Sequence, residues 1–136
     1  MARSDKAPVI VIVGPCASGK STLAAALRDL GVDVRIVAQE HSIVSDLWRR
    51  PGPDVLIGLN VDLEILRARR APTWPASVYA SQQDRLAPAF AAADLVIDTS
   101  SLSADQVIER AAEWLRGRGL VVNEVVAEPD ADLSSG

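Results

Sequence analysis

Gly14-Pro15-Cys16-Ala17-Ser18-Gly19-Lys20-Ser21-Thr22 is the stretch on which the reading of this chain turns. It completes the spacing G-x-x-x-x-G-K-S. The apolar run Val9-Ile10-Val11-Ile12-Val13 precedes it, and Thr22-Leu23-Ala24-Ala25-Ala26-Leu27 follows. The order is strand, glycine loop, helix, which a phosphate-cradling loop requires. Glycine makes up roughly 7% of ordinary sequences, so this spacing arises by chance in well under ~1% of chains this long. Gly14 and Gly19 permit close approaches and backbone conformations denied to residues with a side chain. The loop then turns its N–H groups onto phosphate oxygens. The helix starting near Lys20 adds unpaired N–H groups and the positive end of its dipole. Lys20 is expected to reach the β- and γ-phosphates, Ser21 to ligate Mg²⁺, and Thr22 to lie by the α-phosphate.

The chain has 136 residues, 49% of them hydrophobic, which fits one globular domain with a real core. Aromatic residues are only 4%, so that core is built from Ala, Val, Leu and Ile. A net charge of −4 argues against broad electrostatic capture of nucleic acid. Cys16 is the single cysteine, which excludes an internal disulfide and fits a reducing compartment. No apolar run is long enough to span a membrane and no signal-peptide pattern precedes Val9, so a cytoplasmic location is expected.

Working outward from the loop, Val9–Val13 reads as a central strand buried on both faces. Helix one runs from about Lys20 to Leu30 and ends at Gly31. Val32–Ala38 alternates apolar and polar residues, as an edge strand does. Ile43–Arg50 reads as a short helix with Ile43, Val44, Leu47 and Trp48 on one side, stopped by Pro51-Gly52-Pro53. Val55–Val61 is strand three, followed by Asp62 and a helix with Leu63 and Leu66 inward. Ala76–Ala92 is helical with Val78, Leu86 and Phe90 inward, and Pro88 is expected to bend or divide it. Leu95–Ile97 is strand four. Ser103-Ala104-Asp105-Gln106 has the capping-box pattern and opens the last helix. Residues 9–119 thus form one domain after a loose N-terminus, Met1–Pro8. Leu120–Ala127 is expected to be an arm or short strand, and the acidic tail Glu128–Gly136 disordered. Alternating strands and helices predict an α/β fold with a small parallel sheet in the order 2-1-3-4 and helices on both faces.

Several side chains outside the loop are candidates for chemistry. Ligands sit at the carboxyl ends of such strands, which puts Glu40 beside the γ-phosphate. There it can hold an Mg²⁺-bound water or take the proton of an acceptor hydroxyl. Asp62 competes for the acidic role, with a helix N-cap as its simpler reading. His41 and Gln39 flank Glu40 and are candidates for contact with an acceptor or water. Arg67 and Arg70 share a helix face at i, i+3 and are candidates to neutralise migrating charge, whereas Arg69 is read as surface. Arg85 is placed to close over the triphosphate. Arg49 and Arg50 are candidates to read an anionic acceptor, and Trp74 to cover a base.

Three stretches together resemble small-molecule and nucleotide kinases of the P-loop superfamily. They are Gly14–Thr22, then Pro53–Asp62 with Leu63–Arg70, and then Ser81–Leu86 through Ala93–Ser100. The second is similar to the fourth strand and lid start of nucleoside monophosphate kinases. The third is similar to the end of dephospho-coenzyme A, shikimate and cytidylate kinases. The resemblance implies a three-layer P-loop NTPase fold, ATP as donor, lid arginines at Arg67, Arg70 and Arg85, and an adenine-side loop at Thr99 and Ser100. It also implies Glu40 as the acidic residue beside the loop. One departure stands out. Only Gly31–Pro53 separates helix one from strand three, so the acceptor-binding insertion of such kinases is missing. The leading expectation is therefore a small ATP-dependent kinase with a small-molecule acceptor. The alternative is a nucleotide-dependent switch or NTPase acting through a protein partner or as a homodimer. A nucleic-acid end kinase ranks below both because of the acidic charge.

Overall fold

The computed structural model describes residues 8–120. The expectations for the N-terminus, the arm and the acidic tail lie outside these residues, apart from Pro8 and Leu120. Four strands form one parallel sheet: β1 Val9–Val13, β2 Asp33–Ile36, β3 Val55–Asn60 and β4 Leu95–Asp98. Their order is β2-β1-β3-β4, as expected. Ile12 lies opposite both Ile36 and Ile57, and Asn60 opposite Asp98, so the carboxyl ends of the strands open on one edge.

The helices are α1 Lys20–Asp29, α2 Leu63–Arg69, α3 Ala76–Ala92 and α4 Ala104–Gly117. Because side chains alternate across a strand, β1 feeds two cores. Ile10 and Ile12 pack with Leu23 and Leu27 of α1 and with Val107, Ala111 and Leu115 of α4. Val11 and Val13 pack on the other face with Leu86 and Ala89 of α3. These are the three layers. Both faces of β1 are sealed, which is why its run is uninterrupted. Each fully buried Ile or Leu contributes about 1.5–3 kcal/mol. β2 and β4 are the edges, and Arg35 and Ile36 of β2 are exposed.

Local signals set the helix ends. Gly31, at φ 84, closes α1, with its N–H donating to the Arg28 carbonyl. Ser103 and Gln106 bond each other's backbone N–H groups in a complete capping box at α4. Gly58 lets β3 pack under α3: a Cβ there would stand 2.7 Å from the Phe90 ring.

Three local expectations are corrected. Residues 43–50 are not a helix. Two 3₁₀ turns, Gln39–His41 and Leu47–Arg49, flank an irregular link in which Ile43 is 88% exposed. A helix there would have turned Ile43, Val44, Leu47 and Trp48 to one side, but only Trp48 is buried. α3 is also undivided. Pro88 is exposed, so the carbonyl of the exposed Asp84 that it leaves without an N–H partner can turn to water. The N-terminal half of α3 buries Gln82 rather than Val78, because that half lines the site.

Candidate active site

The loop between β1 and α1 wraps the start of α1. Gly14 is required there: a Cβ would fall on the Leu59 carbonyl oxygen and 2.6 Å from the Ser18 hydroxyl. Gly19, at φ 95, caps α1 in the left-handed region. Ala17 shares that region at φ 65, an unfavoured conformation for a residue with a Cβ. The Ser18 side chain is buried, and its hydroxyl has no hydrogen-bond partner. Ser21 and Thr22 are exposed on the first turn of α1 and line a cavity of about 380 Å³ with the rest of the loop.

Lys20 folds back across this loop. Its ammonium donates to the Gly14 carbonyl at 2.5 Å and to Glu40 Oε2 at 2.6 Å, with a longer contact to the Pro15 carbonyl. The pair is nearly sealed, with side chains 12% and 5% exposed. Glu40 arrives here because β2 lies beside β1 and the 3₁₀ turn Gln39–His41 follows its end. Its second oxygen, Oε1, is buried without a partner. His41 is exposed, with Nε2 at 3.7 Å from Glu40 and 3.9 Å from Cys16 Sγ.

The remaining candidates separate. Asp62 accepts from the Ile65 N–H and caps α2, its simpler reading. Gln39 is fully buried and donates to the Val44 carbonyl while accepting from the Trp48 N–H. That makes it the brace of residues 44–48 rather than a group free to orient an acceptor. The expected Arg67–Arg70 face is split, because α2 stops at Arg69. Arg67 donates to the Trp74 carbonyl and ties down the following loop, whereas Arg70 lines the cavity at the glycine loop. Arg85 donates to the Glu40 carbonyl at 3.3 Å. It borders a second cavity, of about 350 Å³, with His41, Trp74, Val78 and Gln82. Arg49 stacks on the Trp48 ring, and Arg49 and Arg50 are both exposed.

Thr99 is buried and accepts at its carbonyl from Arg69, which also bonds the Ala17 carbonyl. Arg69 is exposed, as expected, and it also clamps the glycine loop to the end of β4. A third cavity, of about 450 Å³, opens between Arg69, Thr99, Leu102, Val107 and the start of α1. Hydrogen bonds from Ser100 to the Asp98 carboxylate hold it below the usual carboxylate range and fix the turn carrying Thr99. Burial, with Asp62 and Asp98 nearby, pushes the Tyr79 hydroxyl above its ordinary value, and it donates to the Val61 carbonyl. Gln82 was also missed: its amide accepts from the Cys16 N–H and donates to Cys16 Sγ. The available signal was its spacing, since Gln82, Leu86 and Ala89 form one i, i+4, i+7 stripe.

No protein-family model matches the sequence, and no curated protein matches it. Among solved structures, the chain is similar to thymidylate kinase from Candida albicans at 13% identity and TM-score 0.61, over 88% of this chain and 96% of that one. It is also similar to an unliganded sugar kinase from Janibacter sp. HTCC2649 at 18% identity and TM-score 0.59, over 87% and 100% of the two chains. At these identities the likeness establishes the fold, a three-layer α/β fold of the P-loop kinase type.

Proposed function

We propose that the protein is a small phosphotransferase that moves the γ-phosphoryl group of ATP to a small-molecule acceptor. The observation that carries this reading is the buried Lys20–Glu40 pair, 2.6 Å apart at the mouth of a glycine loop, with Glu40 Oε1 unpartnered. A buried carboxylate oxygen without a donor marks a place where a ligand's proton or cation belongs.

The roles follow from position. The loop N–H groups and the start of α1 hold the phosphates, and the cavity beside Thr99, Leu102 and Val107 takes the base. The residues present also suit Mg²⁺: the exposed Ser21 hydroxyl and the unpartnered Glu40 oxygen are hard oxygen donors in one cavity. When bound, the ion would neutralise charge on the phosphate oxygens. Lys20 shifts from loop carbonyls toward the migrating group, and Arg70 faces the same space. The acceptor enters by the cleft of His41, Trp74, Val78 and Arg85. Its oxygen forms a bond to the γ-phosphorus, the bond to the bridging oxygen breaks, ADP leaves, and the acceptor proton passes to Glu40. The resemblance to nucleoside monophosphate, shikimate and dephospho-coenzyme A kinases supports this reading and ATP as donor. The lone thiol suits the cytoplasm.

Labelled ATP with a panel of hydroxylated and phosphorylated metabolites tests the proposal. A labelled product other than inorganic phosphate is expected. Lys20→Ala should abolish nucleotide binding. Glu40→Gln should preserve affinity within about threefold while turnover falls about 10²–10⁴-fold, the share typical of a positioned base. Slow hydrolysis against every acceptor would sink the transferase reading and leave a nucleotide-dependent switch acting through a protein partner.

A further inference from the structure

Cys16, Glu40 and His41 converge at the mouth of the phosphate loop from two different segments of the chain. One ligand atom from each, the Cys16 sulfur, a Glu40 carboxylate oxygen and a His41 ring nitrogen, all lie within 4.8 Å of one another. We propose that these three side chains form a binding site for a borderline-soft divalent cation of the zinc class. The site shares Glu40 with the Mg²⁺ proposed to accompany ATP and differs from it in adding the Cys16 sulfur and the His41 nitrogen.

The distances support the assignment. Bonds of about 2.3 Å to sulfur and about 2.0 Å to nitrogen or oxygen, at tetrahedral angles, give ligand–ligand edges of roughly 3.3–3.5 Å. The observed edges are 3.9 Å from sulfur to His41 Nε2 and 3.7 Å from that nitrogen to Glu40 Oε2. A contraction of a few tenths of an ångström closes these two, and the third edge, from the Cys16 sulfur to the Glu40 carboxylate, lies within 4.8 Å. His41 is exposed and has room to move, whereas Glu40 and Cys16 are held.

Two independent features point the same way. Glu40 is 4% exposed; its Oε2, the oxygen measured to His41, is held by Lys20, and its Oε1 has no hydrogen-bond partner. Such a buried carboxylate oxygen is stabilised by a cation and costs free energy without one. Gln82 is also buried and donates its amide N–H to the Cys16 sulfur at 3.6 Å while accepting from the Cys16 backbone N–H. That outer contact fixes the thiol in place, as outer partners do for metal ligands. Lys20 is the competing cation, since its ammonium already holds one Glu40 oxygen.

Ligand softness sets the selectivity. Thiolate and imidazole favour Zn²⁺ and Co²⁺, whereas Mg²⁺ prefers oxygen and keeps its water. Three protein ligands would leave one position of a four-coordinate ion open, and the three line one cavity at the glycine loop.

Co²⁺ titration of the full chain, without nucleotide, tests the site by absorption alone. The expected result is a one-to-one complex with visible bands of a four-coordinate ion and a thiolate-to-cobalt charge-transfer band. Zn²⁺ should bleach these bands, and millimolar Mg²⁺ should leave them. Cys16→Ser should remove the charge-transfer band, and His41→Ala should weaken Co²⁺ binding at least about tenfold. His41 is exposed, so its substitution keeps the test valid if the Cys16 variant misfolds. A complex without the charge-transfer band, displacement by Mg²⁺, or unchanged affinity in His41→Ala would each overturn the proposal. None of these readouts depends on ATP turnover, so this site and the phosphotransferase reading fail separately.

Discussion

Arg69→Ala is expected to weaken nucleotide binding without removing any group that points at a phosphate. The guanidinium donates to the Ala17 and Thr99 carbonyls, both at 2.8 Å, and to the Thr99 hydroxyl at 3.3 Å. A hydrogen bond from a charged donor contributes about 1.5–3 kcal/mol when sheltered. Arg69 is exposed, so water competes, and about 0.5–1 kcal/mol for each short bond is the appropriate figure. The two short bonds then supply roughly 1–2 kcal/mol toward the loop's shape. That shape needs support, because Ala17 at φ 65 has lower-energy backbone conformations available. Losing the clamp should raise the nucleotide Kd roughly 5- to 30-fold. A fluorescent-nucleotide titration at fixed salt measures this. Arg69→Lys separates charge from geometry: a lysine keeps the charge but lacks the planar fork that reaches two carbonyls at once. An Arg69→Ala protein that binds nucleotide within about twofold of the parent would refute the reasoning. An Arg69→Lys protein with full affinity would show that charge alone suffices.

Gly58→Ala should destabilise the fold by about 1–3 kcal/mol, since the new Cβ meets the Phe90 ring at 2.7 and 2.9 Å. Adding Phe90→Leu should recover part of that loss in thermal melts, and a double variant less stable than Gly58→Ala alone would contradict the packing account. Gln39→Ala should cost about 2–4 kcal/mol in chemical denaturation, because it strands the buried Trp48 N–H and opens a cavity; a loss below about 0.5 kcal/mol would return Gln39 to the list of residues free for ligand work. Tyr79 is the only tyrosine, so alkaline difference absorbance reports it alone. Its folded pKa is raised, so its contribution to stability is complete below the unfolded value and fades as pH rises through the folded one; a midpoint at or below 10.0 would contradict the buried environment.

The sheet was readable because each strand carried its own signature. Val9–Val13 is apolar at every position, which only a strand sealed on both faces sustains, and Val32–Ile36 alternates, as an edge does. The loop was readable because its constraint is local, with Gly14 and Gly19 placed by backbone geometry within a few residues. What escaped were contacts between distant segments. Arg69 was set aside from its angle on a helical wheel, yet α2 ends at that residue and its long side chain reaches Ala17, 52 positions earlier. Gln39 sat beside Glu40 in a stretch expected to carry chemistry, and nothing local marks it as the brace for Val44 and Trp48. For residues 43–50, the apolar residues match a helix in number, but the Gln39 amide, donating to the Val44 carbonyl and accepting from the Trp48 N–H, holds the backbone in another shape.

Two buried glutamines, Gln39 and Gln82, brace the walls of the cavity at the glycine loop. Only Gly31–Pro53 separates α1 from β3, too few residues for a second folded unit between them. A segment this short buries too little apolar surface to hold itself in place. Polar contacts stand in for that packing. Gln39 fixes the outer link through two backbone groups, and Gln82 fixes Cys16 from the facing helix. Arg85 joins the two sides through the Glu40 carbonyl. Hydrogen bonds of this kind hold one geometry and stretch poorly, so the wall carrying Glu40 and His41 has little freedom to close around an acceptor. The opposite side, where Arg70 and the Trp74 loop follow the end of α2, is braced as well. On that side Arg67 supplies a tether to the Trp74 carbonyl at 2.9 Å. If the phosphotransferase proposal holds, the acceptor should be small and matched to this wall, and Arg85→Ala, which frees the Glu40 carbonyl, should raise its KM more than it lowers kcat.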